Sequence, residues 1–294
     1  MGSVFDDIVI IAEVGCNHCG DFSLAQKFVD DIDGLTLDER VQVIKFQKRT
    51  PELILTSEEL SAPHPCPENA FGNTYGEHRS FLEFDIEQHR RLKSYIENRN
   101  LVYSCSVFDW KSLEDILSLE PKMIKISAVN NTDFEMLKFL DNNFDGEIHI
   151  SLGMTTKQEE KMLVNTFKNK LDDVVLYACT TNYPVPVGEI CLLEIDRLVK
   201  TYADEIKGVG FSAHHLGYVQ DVAALALGAR YFERHFTLDK TLKGSDQFMS
   251  LDLSDIAQLG KNLRLVARDL KYKEPDILES EAFYRIKHKK IGVC

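Results

Sequence analysis

The chain has 294 residues, 44% of them apolar and 28% charged, with 34 basic against 47 acidic side chains and a formal charge of −13. This composition excludes a disordered or fibrous chain, and no apolar run reaches the ~20 residues that a membrane span needs. The acidic balance argues against nucleic acid or an anionic lipid surface as a partner, so an anionic substrate would need a local basic pocket.

In chain order, the N-terminal stretch lacks a basic region and carries Glu13 inside its apolar run. It reads as a first strand, 8–15, and not as a signal peptide. A helix over 23–33 follows, with Ser23 as its expected N-cap. Further apolar, β-branched runs at 41–47, 101–108, 122–127, 147–153, 174–181, 208–214 and 231–237 read as strands buried on both faces. Helical stretches lie between them, and the last is expected to begin at Ser254. Eight β-then-α units predict an α/β fold, the (β/α)8 TIM barrel, over 1–275, with a basic C-terminal tail at 276–294. The rival, a doubly wound open sheet, would carry a G-x-G-x-x-G loop, and AEVGCNHCGD does not have that spacing. One connection, 48–85, is long enough to read as a functional loop; it holds four prolines and the polar stretch GNTYGEHR.

Seven cysteines stand at 16, 19, 66, 105, 179, 191 and 294. Cys16-Asn-His-Cys19 has half the spacing of a metal knuckle, but no second ligand pair follows. An odd count without a secretion signal predicts reduced thiols and a cytoplasmic protein.

In a barrel the chemistry sits at the C-terminal ends of the strands. The sequence places Glu13, Lys45, Gln47, Ser104, Ser106, Lys125, Ser127, Thr181, Ser212, His214, His215, Glu233, His235 and Thr237 there. A lysine inside an apolar strand is costly unless an anion meets it. Lys45 and Lys125 therefore point to a bound phosphate or carboxylate, or else to internal Lys–Glu bridges, with Glu13 as one candidate. His214 and His235 end neighbouring strands, ~5 Å apart in such a sheet, and can share one divalent ion or serve as ordinary core residues.

The segments AEVGCNH, VIKFQKRT, GNTYGEHRSFLEF, SLGM, CTTNYPVP, GFSAHHLG and LGARYFERHFTLDKTLKGSD together resemble the sialic acid synthase family over about residues 7–270. The resemblance implies a TIM barrel that condenses phosphoenolpyruvate with an N-acylated mannosamine or related aldose, phosphorylated or not. The product is a 2-keto-3-deoxy sugar acid, and phosphate is released. It implies a divalent metal on His214 and His235, manganese first, with magnesium or cobalt as alternatives, and a homodimer. It implies phosphoenolpyruvate contacts at Lys45, Ser106, Lys125, Ser127, Thr181 and Ser212. Glu13 matches a carboxylate near the reacting carbons, and Asn73, Tyr183 and Asp246 match sugar contacts. Tyr183 also reads as a packing residue beside Pro184.

Departures fall mostly on the sugar side. Asn130 stands where an acidic contact is usual, His215 is an extra imidazole near the metal, and Gln247 replaces a histidine. The family's C-terminal antifreeze-like domain has no counterpart in this chain, and Arg285 in the tail is a weak substitute for the arginine that domain supplies. The expectation is that the 48–85 loop, with Asn73 and Arg79, closes over the sugar. Two alternatives stay open. One is a shorter 3-deoxy-ulosonic acid synthase whose sugar phosphate is clamped by Lys48, Arg49 or Arg79; the other is a non-catalytic barrel that only binds sugar acids.

Overall fold

The computed structural model describes residues 8–289. Cys294 and the last residues of the basic tail lie outside the described residues. Eight parallel strands close in sequence order into one barrel: β1 (Val9–Gly15), β2 (Val43–Lys48), β3 (Val102–Val107), β4 (Met123–Ile126), β5 (Glu147–Ser151), β6 (Val174–Cys179), β7 (Gly208–Ala213) and β8 (Tyr231–His235). Helices lie between successive strands, and the longest, Leu253–Asp269, follows β8. The fold is the expected (β/α)8 barrel. Among the described residues no helix is long and apolar enough to cross a membrane.

Each strand has two buried faces with different tasks. One face packs outward on the helices through residues such as Ile10, Ile44, Phe46, Tyr103, Ile124, Ile148, Leu176 and Phe232. The other points into the barrel, where Ile11, Val43, Met123, Val175 and Tyr177 form a small apolar plug with Val9, Val102 and Tyr231. Gly210 makes room for it: a Cβ there would lie 2.4 Å from the Tyr177 ring. Two residues further along each strand the inward positions turn polar, because side chains on one face recur with period two. Ile11 gives way to Glu13, Val43 to Lys45, Met123 to Lys125 and Tyr231 to Glu233. The plug thus closes one end and leaves a polar chamber at the other.

Local signals set the element ends. Asp21, not Ser23, caps the first helix, its Oδ1 accepting the Ser23 and Leu24 N–H groups. The last barrel helix starts one residue before the expected Ser254, with Asp252 as its cap and a reciprocal bond to Asp255. Residues 48–85 are more ordered than a plain loop. They contain the short helices Pro51–Ile54, Ser57–Ser61 and Tyr75–Leu82 and a 3₁₀ turn at Pro67–Asn69. Thr56 and Thr74 cap two of these, as the polar spacing of the segment allows. Within the tail, Glu279–His288 forms a helix with no buried residue.

Candidate active site at the C-terminal strand ends

The register brings the polar inward residues into contact. Lys45 pairs with Glu13 and donates to Ser106 Oγ at 2.8 Å. Lys125 donates to Ser151 Oγ at 2.7 Å. Glu233 lies between the two, 3.6 Å from the Lys45 ammonium and 3.5 Å from that of Lys125. Its Oε1 also accepts the Ser212 hydroxyl at 2.9 Å. Gln47 Nε2 donates to Glu13 Oε1 at 2.8 Å. The reading of the lysines as internal Lys–Glu bridges is therefore borne out, to Glu13 and to Glu233. The two lysines also line a cavity of about 100 Å³ together with Ser127, Thr181, Ser212, His214 and His235.

Burial dominates the electrostatics. It lowers the Lys45 pKa to about 8, with Glu233 pulling upward and Lys125 pushing further down. Burial alone would raise Glu233, but the facing Lys125 and Lys45 charges win and hold it well below the usual carboxylate range. Thr181 Oγ1 is buried in the chamber without a hydrogen-bond partner, and an anion's oxygens would satisfy it.

The ring centroids of His214 and His235 lie 5.5 Å apart. Burial, then the neighbouring His235, lowers His214 to about 3, and burial also lowers His235 while Asp246 opposes it. Both rings are thus neutral near pH 7, as metal ligands must be. His214 Nδ1 has only a long contact, 3.4 Å, to the Thr180 carbonyl, and His235 Nδ1 is buried with no partner. Among the described residues no third His, Cys, Asp or Glu joins them. This donor set fits a divalent ion whose other positions are filled by water and substrate oxygens. Tyr183 leans on the pair, its ring 4.3 Å from that of His214 and 6.4 Å from that of His235.

His215 does not share this site. It faces the helix layer, stacked on Phe211, with Nε2 3.3 Å from Asp221 Oδ2 beside the buried Arg234. Adjacent residues of a strand end point to opposite faces, so it neither competes for metal nor meets substrate. Gln247 is likewise a brace and not a sugar contact. It is 1% exposed and donates to the Asn17 carbonyl while accepting from Thr237.

A second cavity of about 230 Å³ opens beyond the first, and Gln47, Phe108, Tyr183 and His235 line both. Arg79 and Asp246 line this outer space, as does Arg49. Asn73 is exposed and lines neither cavity; its backbone N–H is bound by Glu77. Asn130 turns back to the Phe108 carbonyl at 3.2 Å and accepts from Ser127 at 3.3 Å. Arg285 lies on the outlying helix and lines neither cavity. Cys16 and Cys19 hold no joint site: Cys16 Sγ faces Gln47 and Arg79, whereas Cys19 Sγ donates to backbone carbonyls of Asn17 and Lys243.

Sequence reasoning gave no role to Glu233, Ser151 or Gln47. The signal was available: each stands two residues from a singled-out position or on the same inward row, since Glu233 precedes His235 by one strand period and Gln47 follows Lys45 by one.

Residues 35–274 match the NeuB family. The chain is 33% identical over 259 residues to N-acetylneuraminate-9-phosphate synthase of Drosophila melanogaster, covering 88% of this chain and 68% of that protein. It is 30% identical over 263 residues to N,N'-diacetyllegionaminic acid synthase of Campylobacter jejuni, covering 88% and 76% of the two chains. A crystal structure of N-acetylneuraminic acid synthetase from Leptospira borgpetersenii superposes with a TM-score of 0.79 at 25% identity, covering 96% of this chain and 93% of that one.

Proposed function

This chain belongs to the NeuB family, and on that premise we propose how its site works. It is a phosphoenolpyruvate-dependent sugar-acid synthase that condenses phosphoenolpyruvate with a sugar to give a nonulosonic acid and phosphate. One observation carries the residue-level reading: two lysines, each 3% exposed, face a chamber whose rim holds two neutral imidazoles.

Lys45 and Lys125 bind the phosphate and carboxylate of phosphoenolpyruvate, and Ser106, Ser127, Thr181 and Ser212 supply hydroxyl groups around it. His214 and His235 would hold a divalent cation, with manganese preferred over magnesium or cobalt, which when bound supplies Lewis acidity toward the sugar's aldehyde oxygen. Tyr183 and Asp246 orient the open-chain sugar so that its aldehyde carbon meets C3 of phosphoenolpyruvate. Arg79, which lines the outer cavity, completes the sugar side, whereas Asn73 and Asn130, expected there from the sequence, line neither cavity. Glu13, held by Gln47 and Lys45, takes a proton from the water that adds to C2 as the C–C bond forms and returns it to the former aldehyde oxygen, which becomes the new hydroxyl; the second proton of the water leaves with phosphate when the centre collapses. The tetrahedral centre then breaks its C2–O bond, and phosphate leaves with the bridging oxygen. A homodimer in the cytoplasm is part of the same reading, and the six free cysteines among the described residues accord with a reducing compartment.

The test is a coupled assay with purified chain, phosphoenolpyruvate, manganese and a panel of N-acyl mannosamines and their phosphates. Phosphate release together with a product mass equal to sugar plus pyruvate supports the reading. Phosphate release without the condensed product would overturn it.

A further inference from the structure

The two imidazoles at the chamber rim are held in different ways. His235 is fixed by the sheet: it pairs with Glu13 on β1, and its carbonyl accepts the Leu251 N–H at 2.8 Å. His214 lies one residue past the end of β7, and its ring makes one long contact, 3.4 Å, to the Thr180 carbonyl. The turn that follows, residues 215–218, belongs to no helix or strand. Where the His214 ring stands relative to His235 therefore depends on what anchors that turn.

Arg234 anchors it from β8. Glu233 and His235 point into the barrel, so the residue between them points to the helix layer. There Arg234 Nη2 donates to two carbonyls of the turn, that of His215 at 2.8 Å and that of Gly217 at 2.7 Å. Its Nη1 donates to Asp221 Oδ2, in the first turn of the helix Val219–Ala226. His215 Nε2 lies 3.3 Å from the same oxygen. Arg234, Asp221 and His215 are all buried. One side chain thus links the residue that precedes His235 to the residue that follows His214, and both to the next helix.

This is a poor way to gain stability. The desolvation penalty of a buried ion pair is comparable to its attraction, and apolar side chains of the same volume fill such a space as well. Arg234 Nε, Asp221 Oδ1 and His215 Nδ1 are moreover buried without hydrogen-bond partners, which adds to the cost. What a guanidinium fork supplies, and an apolar side chain does not, is a defined place for two carbonyls at once. We propose that Arg234, braced by Asp221, is a positioning residue for the imidazole pair: it fixes the turn after His214 and so sets that ring at a spacing from His235 suited to one divalent ion. The proposal rests on the metal reading above. Outer contacts of this kind matter because an ion binds tightly only where its ligands already stand in place.

The experiment uses Arg234→Lys and Asp221→Asn in the full chain. Lysine keeps a charge opposite Asp221, but its single nitrogen cannot span two carbonyls and a carboxylate. Asparagine keeps the shape of Asp221 without its charge, and it decides the matter if Arg234→Lys does not fold. Electron paramagnetic resonance of free manganese gives the metal affinity, and thermal melting with phosphoenolpyruvate alone reports the lysine half of the site. Arg234→Lys is expected to weaken manganese binding about tenfold or more, and Asp221→Asn less. The rise in Tm caused by phosphoenolpyruvate should match the wild type in both. Unchanged manganese affinity in both variants would overturn the positioning role. So would an equal loss of manganese and phosphoenolpyruvate binding, which means general loosening. A readout without metal separates this from failure of the metal reading. Ring-nitrogen magnetic resonance of the metal-free chain should show the His214 signals moved in both variants, and those of His149 in β5 unmoved. Unmoved His214 signals overturn the clamp even if manganese binds to the wild type. A wild type without manganese affinity overturns the metal reading, and with it the purpose assigned to the clamp.

Discussion

Lys45 is the side chain whose environment makes the sharpest demand. Burial lowers its pKa in the folded chain to about 8, well under its ordinary value of 10.5. The sign follows from linkage. A base with a depressed folded pKa weighs against folding below pH 8, and that cost is relieved between pH 8 and 10.5. Phosphoenolpyruvate needs the cation, so its affinity should be level below pH 8 and fall by about tenfold per pH unit well above it. The rise in Tm caused by phosphoenolpyruvate, followed from pH 7 to pH 10, reads this directly. A shift that stays constant to pH 9.5 would remove Lys45 from the contact. Lys125→Ala should weaken phosphoenolpyruvate binding by about 2–4 kcal/mol, because a desolvated anion loses its cation. His235→Ala separates the two halves of the site. Metal content and turnover should be lost while stabilisation by phosphoenolpyruvate persists, since both lysines remain. Retained metal and activity would place the metal elsewhere.

At the scale of elements, the loops after the strands shape the chamber, and their fit depends on one close approach. Gly153, just past β5, has no room for a side chain: a Cβ would fall 2.0 Å from Thr181 Oγ1 and 3.2 Å from the Ala128 Cβ. Gly153→Ala is expected to displace Thr181, and on the proposed reading that shifts its hydroxyl relative to phosphoenolpyruvate. We expect KM for phosphoenolpyruvate to rise several-fold while kcat changes less, with about 1–3 kcal/mol of stability lost to overpacking. Steady-state kinetics beside urea melts would check it; an unchanged KM would show that this wall does not touch the substrate. The strands themselves were legible because apolar, β-branched runs bounded by polar residues mark buried strands. The lysines, histidines and Glu13 were legible as interruptions of those runs. What single positions could not show was parity. His215 follows His214 in the chain and looks equivalent, yet the alternation of a strand sends it to the helix layer. Gln247 and Asn130 turn inward to backbone partners for a similar reason: the loops that carry them need their own carbonyl and amide groups satisfied. The 48–85 segment read as one loop because its helices span only four to eight residues each, too short for a periodic signal to emerge.

For the whole molecule, what matters is that the barrel closes, since β1 and β8 must meet for Glu13 and His235 to lie side by side. A small polar lock holds that seam. Phe236 N–H donates to the Glu13 carbonyl at 2.8 Å, and Asn17 Nδ2 donates to the Phe236 carbonyl at 2.8 Å and to Ser250 Oγ at 3.0 Å. Ser250 in turn donates to the Asp246 carbonyl at 2.6 Å, so the lock reaches the sugar side of the site. Asn17 is 2% exposed, and its loss leaves a buried carbonyl without its donor. Asn17→Ala should therefore cost about 1–3 kcal/mol, a fall in Tm of roughly 2–5 °C for a chain of this length. The closed ring makes the loss global. Trp110, the one tryptophan of the chain, packs on Phe139 between the two helices that flank β4 in the chain, away from the β1–β8 seam. Every strand between is hydrogen-bonded to both neighbours, so opening the seam removes support from strands that Asn17 never touches. Denaturation of Asn17→Ala followed by Trp110 fluorescence and by far-ultraviolet circular dichroism should give one shared midpoint, lowered equally in both. If the fluorescence midpoint stays at its wild-type value while the dichroism midpoint falls, the barrel opens by sectors, and the seam supports only the site beside it.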